Sequence, residues 1–204
     1  MDDVLYSCME GDSSYVFKRI MDLFCEDGGK VLDMTFGRGV FWKKIEAGRF
    51  SVLANDMDPN LGNWHDDLRR VRWGDEKFDV VVFDPPWGNI STVRREDGLA
   101  RVYRLEPMGS PEKLMEFCIE GIREGCRVLK VGGIMIVKCQ DQVSSGKKYF
   151  YSVEIYREAL RVGFVGVDRV IQKQKRNPKA SHGVQKHFRM NYSEYWIFRK
   201  KAGK

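Results

Sequence analysis

The tetrapeptide Asp84-Pro85-Pro86-Trp87 carries the clearest chemical signal in the sequence. Its two prolines fix φ at about −65° and remove two N–H donors, so the loop is stiff and its carbonyl oxygens can face a ligand. The carboxylate of Asp84 adds acceptor oxygens, and the indole of Trp87 adds a planar apolar face. Two acceptors beside a stacking face suit a planar amine, such as the exocyclic NH2 of adenine or cytosine.

The tetrapeptide 84–87 also has a purely structural interpretation. It follows the apolar run Phe78–Phe83, which is typical of a buried strand. Strands often end at an Asp-Pro pair, because proline stops the ladder and begins a turn. The loop alone therefore leaves both interpretations open, and its position relative to the residues upstream favours the chemical one.

A glycine turn and an acid-ended strand precede the tetrapeptide. A predicted strand over 30–34 carries Asp33 and leads into the glycine turn, residues 35–39, while a second strand over 51–56 ends at Asp56. In an α/β fold such glycines let the backbone approach a nucleoside, and the acid accepts its ribose hydroxyls. Because position 42 is Trp and no P-loop Gly-Lys-Ser/Thr is present, the pattern disfavours NAD and ATP. It favours a cofactor without a polyphosphate.

Strands and helices alternate along the rest of the chain. Amphipathic periodicity predicts helices over 12–26, 40–47, 111–129 and 151–161. Apolar runs predict strands over 30–34, 51–56, 69–73, 78–83, 134–138, 163–171 and 194–199, of which the third is the weakest. This alternation predicts one α/β domain over 1–204, built on a mainly parallel sheet with helices on both faces.

Composition narrows the class of protein. A chain of 204 residues with 43% hydrophobic content is enough for one core. The sequence has no long apolar run and no basic, apolar leader at its start, so we expect neither a membrane span nor secretion. The cysteines show no CxxC pairing, which argues against a zinc site or a disulfide framework and for reduced thiols in the cytoplasm. They are Cys8, Cys25, Cys118, Cys126 and Cys139.

Positive charge is concentrated in two segments. The formal net charge is +6, and no acidic residue lies between Asp168 and Glu194. That interval contains Lys173, Lys175, Arg176, Lys179, His182, Lys186, His187 and Arg189, and the segment 88–110 contains Arg94, Arg95, Arg101 and Arg104. Aromatic residues interleave with the first group, a mixture that suits a phosphate backbone and unstacked bases. A solvated charged loop is the structural alternative for both segments.

The order of the motifs resembles that of class I S-adenosylmethionine-dependent methyltransferases of the N6-adenine/N4-cytosine nucleic-acid family. Residues 33–39 match the first cofactor motif of that family, and residues 55–59 are similar to its acidic ribose motif. Residues 66–68 resemble the motif that meets the adenine amine, and the tetrapeptide 84–87 matches the catalytic loop. The resemblance covers residues 12–140, with the cofactor motif before the catalytic loop.

The resemblance implies a Rossmann-like α/β fold with a seven-stranded, mostly parallel sheet and an antiparallel last strand. It implies S-adenosyl-L-methionine as cofactor and no metal. The implied cofactor-binding residues are Asp33, Thr35, Phe36, Gly37, Gly39, Asp56, Met57, Asp66 and Asp67. The implied catalytic residues are Asp84, Pro85, Pro86 and Trp87. We expect the polynucleotide to be bound by the two basic segments, through Arg94, Arg95 and the basic residues between 173 and 189.

The resemblance leaves the target base open. The glycine turn 35–39 resembles that of a bacterial ribosomal RNA cytosine-N4 methyltransferase, whereas a loop that begins with Asp is commoner with adenine N6. RNA is favoured over DNA, because DNA methyltransferases of this branch usually add a target-recognition domain. We therefore expect N-methylation of cytosine or adenine in RNA, ribosomal RNA first, with DNA as the alternative.

Two other functions fit parts of the sequence. One is methylation of a protein amide, although similar loops in those enzymes begin with Asn, and the basic aromatic segment speaks against it. The other is a binding module that keeps the fold without catalysis, and the intact Asp33, Asp56 and Asp84 speak against that.

Overall fold

The computed structural model of the protein describes residues 4–87, 110–174, 186–188 and 190–203. The strands in these ranges are β1 (Cys8–Glu10), β2 (Gly29–Asp33), β3 (Phe50–Ala54), β4 (Phe78–Phe83), β5 (Leu129–Cys139), β6 (Gln142–Ser144), β7 (Lys147–Tyr149), β8 (Phe164–Lys173) and β9 (Tyr192–Lys200). The helices are α1 (Ser13–Phe24), α2 (Pro111–Val128) and α3 (Tyr151–Val162), with a short 3-10 helix at Phe41–Lys44.

Local sequence explains where the helices begin and end. The side chain of Asp12 accepts the backbone N–H of Tyr15 and caps α1, and Ser110 caps α2 in the same way through Lys113. Helix α3 ends at Gly163, whose φ of 112° lies in the left-handed region that favours glycine. The predicted boundaries of all three helices are therefore close to those observed.

Seven strands form one sheet in the order β1-β8-β9-β5-β4-β2-β3. Strand β9 runs antiparallel to both of its neighbours, β5 and β8, and the other pairs are parallel. The predicted seven-stranded, mostly parallel sheet with an antiparallel last strand is confirmed. Because parallel strands point the same way, the carboxyl ends of β2, β3, β4 and β5 meet at one edge, which is the usual place for a ligand in such folds.

One predicted strand is wrong, and an unpredicted one completes the sheet. Residues 69–73 form no strand, since the backbone N–H of Val71 donates to Glu124 Oε1 at 2.8 Å and its carbonyl accepts from Arg127. Side chains of α2 thus satisfy the groups that a strand partner would have bonded. The seventh strand is instead β1, which pairs in parallel with β8 and aligns Cys8 with Ile171.

The predicted helix over 40–47 is also wrong in length. Only Phe41–Lys44 is helical, as a 3-10 turn, and Ile45 already has an extended backbone. The reason lies in a side chain, because Trp42 turns inward and its indole N–H bonds Asp33 at 2.7 Å. This tertiary contact holds the segment in a conformation that a longer helix would not share.

Helices cover both faces of the sheet, as predicted. On β4, Val80 and Val82 face a core that includes Phe17 of α1, whereas Val81 and Phe83 face a core that includes residues of α2 and α3. These four side chains are almost fully buried, which accounts for the uninterrupted apolar run Val80–Phe83 at the end of the strand. None of the helices described here combines the length and the apolar character that crossing a membrane requires.

Candidate active site

Three carboxylates meet at the carboxyl edge of the sheet. Asp33 ends β2, Asp56 follows β3, and Asp84 follows β4. The backbone N–H of Asp84 donates to Thr35 Oγ1 at 2.7 Å, across 49 residues of chain. The glycine turn and the tetrapeptide, which the sequence predicts separately, are therefore joined by a direct hydrogen bond.

The glycine turn is held by bonds to the loop that follows β3. Gly37 has a φ of 56° and donates its N–H to Asp56 Oδ2 at 2.8 Å. Phe36 donates its N–H to the carbonyl of Asn55 at 2.9 Å. Gly39 has a φ of 64°, and a Cβ placed there would lie 2.8 Å from the Phe36 ring. Both glycines are required by the backbone, and they leave it bare of side chains where a ligand would approach.

Asp33 is almost fully buried and is held by neutral donors. Its Oδ1 accepts the N–H of Thr35 at 3.1 Å, and its Oδ2 accepts the indole N–H of Trp42 at 2.7 Å. Burial raises its pKa to about 7; the bonds from Trp42 and Thr35 oppose the rise, and the negative charges of Asp84 and Asp56 add to it. A cationic ligand nearby would favour the ionised form.

Asp56 organises the next loop while remaining half-buried. Its Oδ1 accepts the N–H of Asp58 at 2.9 Å, and its Oδ2 is bonded by Gly37. Burial raises its pKa, and these two backbone bonds oppose the rise. Each carboxylate oxygen has a further lone pair for a hydroxyl donor. Met57, beside it, is 48% exposed and offers an apolar surface next to that acceptor.

Asp66 and Asp67 are engaged by arginines. Asp66 binds the guanidinium of Arg72, with 2.7 Å between its Oδ1 and Nη2, and Asp67 binds Arg69. The bonds from these arginines lower the pKa of each carboxyl. Buried Asn55 fixes the segment by accepting the N–H of Asp66 at 2.9 Å and donating to its carbonyl. Contact of Asp66 or Asp67 with an adenine amine stays a prediction, since their side-chain oxygens bind arginine here.

Asp84 forms an ion pair with Lys138 near the carboxyl end of β5. The distance from Lys138 Nζ to Asp84 Oδ2 is 3.2 Å, and the side chains are 17% and 26% exposed, respectively. Burial raises the pKa of Asp84, and the positive charge and hydrogen bond of Lys138 oppose that rise. The ammonium also lies 5.4 Å from the ring centroid of Phe41 and 5.8 Å from that of Tyr195. The carboxylate of Asp84 is thus paired with the Lys138 ammonium and is still partly exposed to a ligand.

The indole N–H group of Trp87 fixes the orientation of its ring. Its indole N–H donates to the backbone carbonyl of Lys138 at 2.8 Å, and its ring lies 5.4 Å from the ring of Tyr151. The side chain is half-buried, and so is Pro86, whereas Pro85 is buried. The tetrapeptide is therefore rigid, with the acceptor of Asp84 and the face of Trp87 both held against β5.

Several solved structures share this architecture, and an S-adenosylmethionine-dependent methyltransferase is among them. An S-adenosylmethionine-dependent methyltransferase from Methanosarcina mazei aligns with a TM-score of 0.58 at 11% identity, over 90% of this chain and 98% of that one. TrmN from Thermus thermophilus aligns with a TM-score of 0.59 at 16% identity, over 93% of this chain and 50% of that one. The chain has the fold of S-adenosylmethionine-dependent methyltransferases.

A third structure aligns less well. Another Thermus thermophilus protein, provisionally assigned as a DNA modification methylase and solved with S-adenosyl-L-methionine, gives a TM-score of 0.47 at 19% identity over 68% of this chain. This chain spans about half of that protein, 54% of its length. The sequence matches no protein-family model and no curated protein sequence.

On this methyltransferase fold, three further buried or half-buried residues hold the site together; two of them lie outside every predicted motif, and Asn55 lies in the predicted ribose motif but had no predicted role of its own. They are Trp42, which bonds Asp33; Asn55, which holds the loop of Asp66; and Lys138, which pairs with Asp84. Their partners lie between 9 and 54 residues away in the sequence. No local pattern signals such contacts, although Trp42 occupies a position that a dinucleotide fingerprint would give to glycine.

The predicted polynucleotide-binding residues are only partly described. Lys173 pairs with Glu10 of β1, Lys186 is exposed, and His187 Nε2 lies 2.7 Å from the carbonyl oxygen of Gly146. Outside the described residues lie Arg94, Arg95, Lys175, Arg176, Lys179, His182 and Arg189. Across the described ranges, no group of three or more His, Cys, Asp or Glu side chains is placed to hold a metal ion.

Proposed function

We propose that the protein is an S-adenosylmethionine-dependent methyltransferase that methylates the exocyclic amine of a nucleobase, cytosine N4 or adenine N6, in RNA. The observation that carries this proposal is the 2.7 Å bond between Asp84 and Thr35, since it joins the tetrapeptide 84–87 directly to the glycine turn. The methyltransferase fold supports the choice of reaction class, and the aromatic and basic residues near the site support a nucleic-acid acceptor.

The residues at the carboxyl edge fit the cofactor. The bare backbone at Gly37 and Gly39 leaves room for a nucleoside, and Asp56 can accept its ribose hydroxyls. Asp33 provides a buried negative charge for a ligand that carries a sulfonium and an ammonium group. When bound, S-adenosylmethionine supplies an electrophilic methyl group on a positively charged sulfur. No polyphosphate-binding loop is needed for such a ligand.

The target amine is positioned by the tetrapeptide. Asp84 Oδ1 and the Pro85 carbonyl accept the two amine hydrogens, while Lys138 occupies Asp84 Oδ2. Two acceptors pull the nitrogen toward sp3 geometry and direct its lone pair at the methyl group. With the cofactor bound, transfer would replace its S–C bond by an N–C bond, and the carboxylate of Asp84 would accept the proton that the nitrogen then releases. The contribution of the protein is positioning and fixed charge.

Trp87 compensates for the cost of exposing the base. Removing a base from its stack costs a few kcal/mol, and the cost is lower for an unpaired base. Stacking on an aromatic ring returns roughly 1–3 kcal/mol. Because the ring of Trp87 is already held by its N–H bond to β5, little side-chain entropy is lost on binding. This balance favours a single-stranded or bulged nucleotide as the target.

The proposal is tested by offering the protein alternative acceptors. Methyl-labelled S-adenosylmethionine is incubated with total RNA, total DNA or protein extract, each with and without Asp84→Ala. We expect label in RNA with the unmodified protein and none with the variant, while calorimetry shows cofactor binding by both. Label in DNA alone would move the substrate from RNA to DNA. Label in protein alone, or no cofactor binding, would contradict the proposal.

A further inference from the structure

A small hairpin projects between β5 and α3, outside the seven-stranded sheet. Its strands β6 and β7 pair antiparallel, with Ser144 opposite Lys147. The two residues between them, Ser145 and Gly146, have φ values of 49° and 77°, both in the left-handed region. This is the geometry of a two-residue type I′ turn, which matches the natural twist of a hairpin. The element is therefore a defined structure with its tip at Ser145 and Gly146.

The hairpin surface combines positive charge with aromatic rings. Lys147 Nζ lies 4.8 Å from the ring centroid of Tyr149, and Lys148 Nζ lies 6.0 Å from that of Phe150. Phe150 is 58% exposed although it is a large apolar side chain. No acidic residue occurs in the sequence from 142 to 153. Such a surface attracts phosphates and offers a free face to a planar base.

A row of aromatic rings connects the hairpin to the candidate active site. The ring of Trp87 lies 5.4 Å from that of Tyr151, and Tyr151 stacks on Tyr149 at 6.1 Å. The hydroxyl of Tyr149 donates to Glu112 of α2 at 3.1 Å, which fixes the outer end of the row. The hairpin residue Tyr149 is thus connected to Trp87 of the tetrapeptide through one intervening ring, that of Tyr151.

The basic segment before β9 also reaches the hairpin. His187 Nε2 lies 2.7 Å from the carbonyl oxygen of Gly146 at the tip. Its neighbours Lys186 and Phe188 are exposed, and Phe188 is 93% exposed. Two segments 41 positions apart in the chain therefore meet at the hairpin tip, and each carries an exposed lysine and an exposed phenylalanine.

We propose that the hairpin binds the single-stranded polynucleotide that flanks the target base. Lys147 and Lys148 contact its phosphates, and Phe150 and Phe188 stack on bases next to the one bound at Trp87. A duplex would satisfy the lysines but would offer no free base faces to the two phenylalanines, so a single strand fits better. This inference rests on the proposed function and adds to it a site for the neighbouring nucleotides.

The test compares two pairs of adjacent lysines. The binding of a fluorescein-labelled single-stranded RNA of mixed sequence is measured by anisotropy for the unmodified protein, Lys147→Gln/Lys148→Gln and Lys43→Gln/Lys44→Gln. The control pair is exposed on the 3-10 helix, on the opposite face of the sheet. We expect the hairpin variant to bind about tenfold more weakly. For this variant, the plot of log affinity against log salt concentration should become less steep by about 1.4, since each of two lost phosphate contacts on a single strand contributes about 0.7. Equal effects of the two pairs would overturn the proposal.

The aromatic contribution is tested in the same assay. Phe150→Ala should weaken single-strand binding about tenfold and leave duplex binding unchanged, since stacking needs a free base face. The control is Tyr6→Ala, because Tyr6 is 71% exposed but precedes the edge strand β1, which β8 and β9 separate from β5. Ultraviolet cross-linking of the unmodified protein gives a second measurement that needs no variant. We expect RNA adducts on the peptide that contains Tyr149 and Phe150, and adducts confined to other peptides would reject the site.

The two levels of the proposal fail differently. If the unmodified protein methylates RNA and the hairpin variants match it in KM for RNA, the hairpin site is wrong and the proposed function stands. If the hairpin variants raise that KM with kcat and cofactor affinity unchanged, both stand. If the unmodified protein methylates no polynucleotide but still binds RNA at the hairpin, the proposed function fails and the binding surface remains.

Discussion

Asp33 and Asp84 follow neighbouring strands of the sheet, yet their surroundings differ in one respect. Burial raises the pKa of both carboxyls. Asp33 is bonded by neutral donors and forms no ion pair among the described residues, whereas Asp84 pairs with Lys138 at 3.2 Å. Among the described residues, Asp33 therefore has no cationic partner for its negative charge. The charge of Asp84 is stabilised in advance, as expected of a group that must be an acceptor before the amine binds.

The largest effect in this comparison is expected from Asp84→Ala. Loss of an acceptor aimed at the reacting nitrogen should lower kcat by roughly 100- to 1,000-fold, the range seen for groups that stabilise a transition state. Affinity for S-adenosylmethionine should change little, since the proposed cofactor-binding residues lie on the loops that follow β2 and β3. Single-turnover kinetics and calorimetry measure the two quantities. A large loss of cofactor affinity with unchanged kcat would reverse the roles of the two carboxylates.

A smaller effect is expected from Lys138→Met. Because the lysine lowers the pKa of Asp84, its removal should raise that pKa and leave less carboxylate at neutral pH. Activity at pH 7 should fall, recover at higher pH, and show an acidic limb moved to higher pH, because less of Asp84 is ionised at a given pH when its pKa is higher. Other charged or titratable groups with electrostatic effects at this site are Asp33, Cys139 and Tyr195.

The control for this substitution is Lys130→Met. Lys130 pairs with Asp79 at 2.7 Å, but both side chains are more than a third exposed and lie at the amino edge of the sheet. Removing an exposed pair should change stability by about 1 kcal/mol or less and leave the pH profile in place. If the pH profile of activity were the same in Lys138→Met as in the unmodified protein, Lys138 would not influence the ionisation of Asp84.

Asp33 should make cofactor affinity depend on pH. A cationic ligand favours its ionised form, so affinity for S-adenosylmethionine should rise severalfold from pH 6 to pH 8 and level off above the pKa of about 7. Calorimetry across this range gives the measurement, with Asp33→Asn as the comparison. The variant should bind more weakly and with no pH dependence from this position. If the cofactor affinity of the unmodified protein did not change with pH, the charge of Asp33 would not contribute to cofactor binding.

The same residue should influence the stability of the protein without cofactor. Its pKa is near 4 in the unfolded chain and about 7 in the folded protein, so the folded state holds an extra proton between those values. Its contribution to the free energy of unfolding is therefore complete below about pH 4 and is lost as the pH rises through 7. The slope from this one group is at most about 1.4 kcal/mol per pH unit. Urea unfolding at several pH values measures this slope. The Asp33→Asn variant has no carboxyl at this position, so the slope should be absent from it.

The smallest effect is expected from Trp42→Phe. This change removes the 2.7 Å bond to Asp33 but keeps the aromatic packing against Phe17. The pKa of Asp33 should rise further, so the pH dependence of cofactor binding should move upward by a fraction of a unit. Affinity at pH 8 should fall only about threefold, within the range expected for one hydrogen bond. A wild-type profile in this variant would mean that the indole bond does not tune Asp33.

The elements near the site are the easiest to predict from the sequence. Strand β4 is predicted with its observed bounds, because five of the six residues of Phe78–Phe83 are apolar and the segment runs into a proline pair. The turn 35–39 is predicted from its glycines, both of which have a positive φ. The fold class follows from the alternation of elements. In each case a local pattern of residues corresponds directly to a local backbone conformation.

The errors arise where distant contacts decide the structure. The strand predicted over 69–73 is absent because Glu124 and Arg127 bond the backbone of Val71, and the helix predicted after Gly39 is shorter where Trp42 turns inward. The Lys138–Asp84 pair spans 54 residues and leaves no local signature. The hairpin of β6 and β7 escapes prediction because its strands have three residues each and its turn uses Ser-Gly instead of the stronger Asn-Gly signal.

The central claim is that Asp84 directs a methyl group from S-adenosylmethionine to the exocyclic nitrogen of a base. The most direct test uses methyl-deuterated S-adenosylmethionine, RNA as acceptor, and mass spectrometry of the nucleosides after digestion. We expect the deuterated methyl group on cytosine N4 or adenine N6 with the unmodified protein, and neither product with Asp84→Ala. Label on a ring carbon, a ring nitrogen or a ribose oxygen, or an unchanged yield from the variant, would contradict the account.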